Sequence, residues 1–197
     1  MSARFTVQRW VRRKLIRAGV LCAGAALLAA CNPALDWREY HSDEGGYSVL
    51  LPQKPGRAQR TLATPAGQVT MHMLSAQVDG MLFGAASANF SVPPDEATQQ
   101  AMRAALLKNI DGAVVSDKPV TTAGNSAGRS AGVPATLTGR EVIKRGSFGS
   151  GERAAQGELR ARFFVRGNRY YQIAAIGSMG AVPPADLDLF FDSFKPD

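Results

Sequence analysis

Two overlapping stretches carry the spacing of a serine nucleophile, since Gly124-Asn125-Ser126-Ala127-Gly128 and Gly128-Arg129-Ser130-Ala131-Gly132 both read G-x-S-x-G. That chemistry needs the serine on a sharp strand-to-helix turn, with an acid and then a histidine later in the chain. Here Gly132-Val133-Pro134 prevents a helix from starting promptly, and the only histidines, His41 and His72, precede both serines. Residues 123–132 therefore read as a Gly/Ala/Ser-rich loop. "GSFGSG" at 146–151 lacks the Gly-Lys-Ser/Thr of a phosphate-binding loop, and the surrounding "RGSFGSGERAAQG" reads as a second loop. Met71 and Met73 flank His72 as soft copper ligands would, but no second histidine or cysteine stands at ligand spacing. The three read instead as core and edge residues of a strand. Asp36, Glu39, Asp43 and Glu44 crowd one surface turn without forming an acid–base pair. The expectation is a non-enzymatic chain without cofactor or metal; a hydrolase using carboxylates alone is the alternative.

A different chemistry is spaced at intervals of two. Gly157-Glu158-Leu159-Arg160-Ala161-Arg162-Phe163-Phe164-Val165 alternates, and Gly167-Asn168 turns it back into residues 170–176. With a two-residue turn, Leu159, Ala161, Phe163 and Val165 share the core face with Tyr170, Ala174 and Ile176. The opposite face then carries Arg160, Arg162, Phe164, Arg166, Arg169 and Tyr171. Guanidinium suits bidentate contact with phosphate or carboxylate, and arginine and aromatic residues are favoured at binding hot spots. The face is a candidate ligand site for an anionic lipid, peptidoglycan or an envelope protein. The bland reading is an outer face that is solvated or covered by a helix.

The N-terminal segment says where such a domain would work. Residues 1–30 hold Arg4, Arg9, Arg12, Arg13, Lys14 and Arg17, no acid, and an uncharged apolar run from Ala18 to Ala30. That is the layout of an export signal, and the run is short of the roughly 20 residues a spanning helix needs. The sequence Leu28-Ala29-Ala30-Cys31 resembles the lipobox of bacterial lipoproteins. The resemblance implies cleavage before Cys31 and attachment of acyl chains (palmitate among them) to its thiol and new amine. Two or three chains anchor essentially permanently. Asn32, where an Asp would favour retention in the inner membrane, points to the periplasmic face of the outer membrane, with the inner membrane as alternative.

With the signal removed, 17 basic residues face 16 acidic ones, so the net charge of +7 falls to about +1. That removes the case for a nucleic-acid partner. Cys22 lies in the apolar run and Cys31 is the attachment point, so no thiol remains for a disulfide. The organisation expected is a signal over 1–30, a lipidated tether over 31–35 and one domain over 36–197.

Along that domain, residues 36–40 and 47–51 read as strands around "HSDEGG", and 68–78 and 81–90 as a hairpin around Asp79-Gly80. Small residues in "FGAASANF" imply close packing over that strand. Pro93-Pro94-Asp95-Glu96 opens a helix with Met102, Leu106 and Ile110 on one face, closed by Asp111-Gly112. Residues 114–121 and 136–144 read as strands. Pro183-Pro184 opens a short helix with Leu187, Phe190, Phe191 and Phe194 on one stripe. The fold expected is α+β, a mostly antiparallel sheet with two or more helices. "GGYSVLLPQKP" and "FFDSFKP" resemble the ends of small exported domains grouped with the PsbP and Mog1-like α/β/α sandwich. That resemblance implies a docking module and no catalytic residue.

Overall fold

Alternating apolar positions and glycine-containing turns make this chain a succession of hairpins. The computed structural model describes residues 35–124, 136–149 and 155–197. In chain order its elements are β1 (Arg38–Ser42), β2 (Tyr47–Leu51), β3 (Gly56–Thr64), β4 (Gly67–Val78), β5 (Met81–Asn89), α1 (Glu96–Leu107), β6 (Asp111–Ala123), β7 (Thr136–Phe148), β8 (Ala155–Arg166), β9 (Arg169–Ser178), α2 (Pro184–Asp192) and β10 (Lys195–Pro196). Seven strands form one antiparallel sheet in the order β3-β4-β5-β9-β8-β7-β6, and β1-β2-β10 form a second. Asp79 and Gly80, at φ 49° and 77°, supply the two-residue turn that pairs Val78 with Met81. Gly167, at φ 56°, begins the equivalent turn that pairs Arg166 with Arg169.

The central strands are covered on both faces, so on β5 and β9 both phases of the strand alternation are largely apolar. On one face β2 and α2 pack Tyr47, Val49, Phe190 and Phe191 against Phe83 and Ile173. On the other, Met102 of α1 packs with Met71, Ala88, Phe163 and Tyr170. Asp95 caps α1 by accepting the Thr98 N–H at 2.8 Å. The helix ends at Leu107, so Ile110 is buried from the turn beyond it rather than from the helix face.

The α+β class with an α/β/α sandwich, expected from the sequence, is corrected by these elements. Strands take 61% of the described residues and two helices only 14%, so this is a β-rich fold of two antiparallel sheets. One segment left unassigned and one misread account for the difference. The segment before Gly67 contains β3, which follows β4 along its whole length. The described ends of the glycine-rich stretch after Lys144 are strand, with Gly146 opposite Gly157 in the β7–β8 ladder. A Cβ at Gly146 would stand 1.9 Å from the Asp111 carbonyl oxygen, and one at Gly157 2.2 Å from that of Gly177. These glycines mark close approach between strands, not turns.

Candidate functional site

The Arg/aromatic face of β8 and β9 has the register that the two-residue turn requires, and it is internal. Phe164 and Tyr171 are 2% and 1% exposed. Phe164 stacks on Phe194 at 5.9 Å, and the Tyr171 hydroxyl donates to the Gly46 carbonyl at 3.2 Å. Arg160 and Arg162 flank Glu141 of β7, which is 1% exposed; their Nε atoms donate to its Oε2 at 3.0 and 2.8 Å. Lys118 Nζ lies 3.2 Å from Oε1. The outer ends of the two guanidiniums pair with Asp188 and Asp192 of α2, each at 2.7 Å, and both lie over the Phe191 ring. Arg166 donates to the Pro196 and Asp197 carbonyls, and Arg169 to the Gly45 carbonyl at 3.2 Å.

This face is the seam on which α2 and the second sheet sit. Burial pushes the Glu141 carboxyl up, but hydrogen bonds from Arg162 and Arg160 outweigh it and hold the group below its usual range. Burial likewise works against the Arg160 charge, and Asp188 and Glu141 more than restore it. Arg160 and Arg162 are thus matched by internal acids, whereas Arg166 and Arg169 bond backbone oxygens and Arg169 also lines a hollow.

An open surface lies on the opposite face, where α1 stops short of the far end of the sheet. A groove of about 420 Å³ runs over β5 and β9 there. Its floor is Gly84, Ala86 and Ala174, with Gly84 opposite Ala174 and Ala86 opposite Gln172. Met73, Leu106, Phe148 and Ile176 wall it, and Leu82 at the rim is 42% exposed. Gln172 is only 9% exposed, and its Oε1 is buried without a hydrogen-bond partner. Arg60, also in the lining, is exposed and has no ion-pair partner among the described residues. The small residues of "FGAASANF", from which the sequence predicts close packing, face this groove in one phase of the strand. The Gly84 position and the buried amide of Gln172 are what sequence reasoning missed; a glycine and a glutamine on inward strand positions were the available signals.

A second, polar hollow of about 400 Å³ includes Glu44, His72, Ser87, Asn89 and Arg169 in its lining. His72 Nδ1 lies 3.0 Å from Glu44 Oε2 without hydrogen-bond alignment, and Ser87 stands opposite His72 in the β4–β5 register. No Ser87–His72 hydrogen bond is formed among the described residues, so the serine is not activated there. Met71 is buried in the α1-side core, on the face opposite His72, so strand alternation keeps the two from converging on one ion. No group of three or more potential metal ligands occurs among the described residues. Ser126, Ser130 and Cys31 lie outside the described residues, as does the end of "GSFGSG". No helix among the described residues is long and apolar enough to cross a membrane.

No family model matches the chain, and no curated protein matches it.

Proposed function

We propose that this protein is a lipid-anchored binding module of the bacterial envelope, held through Cys31 on the periplasmic face of the outer membrane, and that it acts by binding rather than by catalysis. The observation that carries this reading is the groove over Gly84. It is apolar, open to solvent and falls within the size range of ligand sites, and among the described residues its lining contains no carboxylate, histidine or cysteine. Such a surface can hold a molecule but offers no acid, base or metal ligand to transform one. The matched charges of Arg160 and Arg162, with Phe164 and Tyr171 buried, support the groove as the receiving surface.

The test is a photo-crosslinking residue at Leu82 in the full-length protein, irradiated in intact cells, with Val92, 61% exposed and outside the groove lining, as control. The reading expects an adduct with an envelope component at Leu82 that Val92 does not give. Identical adducts at both positions, or none at Leu82, would overturn it. Palmitate labelling that survives Cys31→Ala would overturn the anchor.

A further inference from the structure

From the composition of the groove we infer its ligand, an inference that rests on the groove being the binding surface: a single acyl chain bearing an anionic head group and a hydroxyl or amide N–H along its length. The first argument is the space over Gly84. Glycine weakens a strand, and most glycines in this sheet are required by their neighbours. A Cβ at Gly177 would fall 2.4 Å from the Gly80 carbonyl oxygen, and at Gly139 2.1 Å from that of Phe163. At Gly84 it would meet only the Leu74 carbonyl oxygen at 3.7 Å and the Ser75 Cβ at 3.9 Å, both ordinary contacts, and φ there is not positive. The protein's own backbone does not call for glycine at this position. The vacant volume is open to an outside molecule, and its apolar walls select a hydrocarbon chain.

The second argument is the Gln172 side chain. A buried amide oxygen without a partner is costly, and apolar neighbours surround this one on the groove floor. Gln172 lines the groove, and a turn of its amide about the last side-chain bond brings Oε1 to that surface, where a donor carried by the chain lying over Ala86 and Ala174 would satisfy it and a plain alkyl chain would not. The third is charge, because among the described residues Arg60 is the only ionisable one in the lining, and it has no ion-pair partner among them. It fits a carboxylate or phosphate at the end of the chain. An apolar body, a buried donor and a terminal anion together describe a hydroxylated or amide-bearing acyl chain rather than a peptide helix or a sugar.

The test uses the full-length lipidated protein in phosphatidylcholine nanodiscs with a photoactivatable dodecanoic acid, adducts being mapped by mass spectrometry. Competition is then measured with dodecanoic acid, its hydroxylated positional isomers and the methyl esters. Adducts are expected on the peptides holding Leu82, Met73 and Ile176. Each additional buried methylene should tighten competition about fourfold, equivalent to about 0.8 kcal/mol. One hydroxyl position should compete about fivefold better than the plain acid, as a single hydrogen bond allows.

Three variants separate the arguments. Gly84→Leu should abolish groove labelling while thermal unfolding stays near wild type. Gln172→Leu should remove the preference for the hydroxyl while retaining the chain. Arg60→Gln should remove the preference for acid over ester. Labelling that is absent from the groove, or unchanged in Gly84→Leu, overturns the inference, and equal competition by every isomer overturns its hydrogen-bonding part. If the groove takes no acyl probe but Leu82 still captures a protein or glycan in cells, this ligand class is wrong and the binding module stands. If neither captures anything, both fall.

Discussion

Glutamine in place of Glu141 tests whether the Arg/aromatic seam holds α2 in place. Glu141 is 1% exposed and lies within 3.2 Å of three cations, Lys118, Arg160 and Arg162. Removing one partner of a buried ion pair costs about 3–5 kcal/mol, because a charge is left uncompensated. Two features reduce that here: the Lys118 side chain is 60% exposed, and both arginines keep an outer acid on α2. A loss of about 2–3 kcal/mol is expected. At about 2–4 °C per kcal/mol for a domain of this size, Tm should fall by roughly 4–12 °C. Urea unfolding of the Glu141→Gln protein, followed by circular dichroism, measures the loss directly. A loss under about 0.5 kcal/mol, the size of an ordinary surface change, would refute the reasoning and show that aromatic packing alone seats the helix.

The same group sets a pH dependence with a definite sign. Its folded pKa is depressed below the ordinary value of 4.5, so the unfolded chain takes up the proton first as pH falls. The stabilisation is fully present above that ordinary value and is lost as pH falls through the folded pKa. The stability gap between wild type and Glu141→Gln should therefore be constant near neutrality and narrow in acid. A gap that widened on acidification would contradict the assignment.

Other parts of the fold carry smaller expectations. Asp95→Ala removes the cap of α1 and should cost about 1 kcal/mol in urea unfolding, while Asp95→Asn should restore most of it. Tyr47→Phe deletes a buried hydroxyl that donates to the Ala85 carbonyl at 2.7 Å, on a strand that is also paired on both sides; a loss of about 1 kcal/mol is expected, and no change would mean that this hydrogen bond adds nothing to the ladder. Gly177→Ala must displace the Gly80 carbonyl or Met81 and should destabilise by more than about 2 kcal/mol, whereas Gly84→Ala should be neutral or slightly stabilising. Equal effects at the two glycines would mean that Gly84 is also confined by the fold.

What could be read from the sequence is what short-range chemistry determines. Asp79-Gly80 and Gly167-Asn168 announce their turns through residues that accept positive φ, and the two registers follow. The same period of two places Leu159 and Phe163 on one face and Arg162 and Phe164 on the other. It does not say which elements lie over each face. Arg162 appears as a free cation until Glu141, from a neighbouring strand, and Asp192, from a distant helix, are brought beside it. Most of β7 is exposed or half-buried and it mixes charged, glycine and apolar positions, so no amphipathic period bounds it. Hence Gly146 and Gly157 looked like loop residues when they are points of close approach. The second sheet was half legible: β1 and β2 follow from their turn, but β10 is two residues whose pairing with β2 depends on where α2 ends.

Gly84 poses the same question in its most discriminating form. One letter in the sequence can mean a turn, a close approach by the protein itself, or room kept for something else, and all three occur in this chain. Gly80 is the first, with its positive φ. Gly177 is the second, since a Cβ there would meet the Met81 sulfur at 2.4 Å. Gly84 has neither constraint, yet it lies on a central strand where a β-branched side chain would add packing and stability. If stability alone had set that position, filling it would improve the protein without consequence. The groove instead combines that open position with an unmet buried amide at Gln172, and the coincidence of these two departures from good packing is what the acyl-chain inference rests on and what Gly84→Leu and Gln172→Leu test separately.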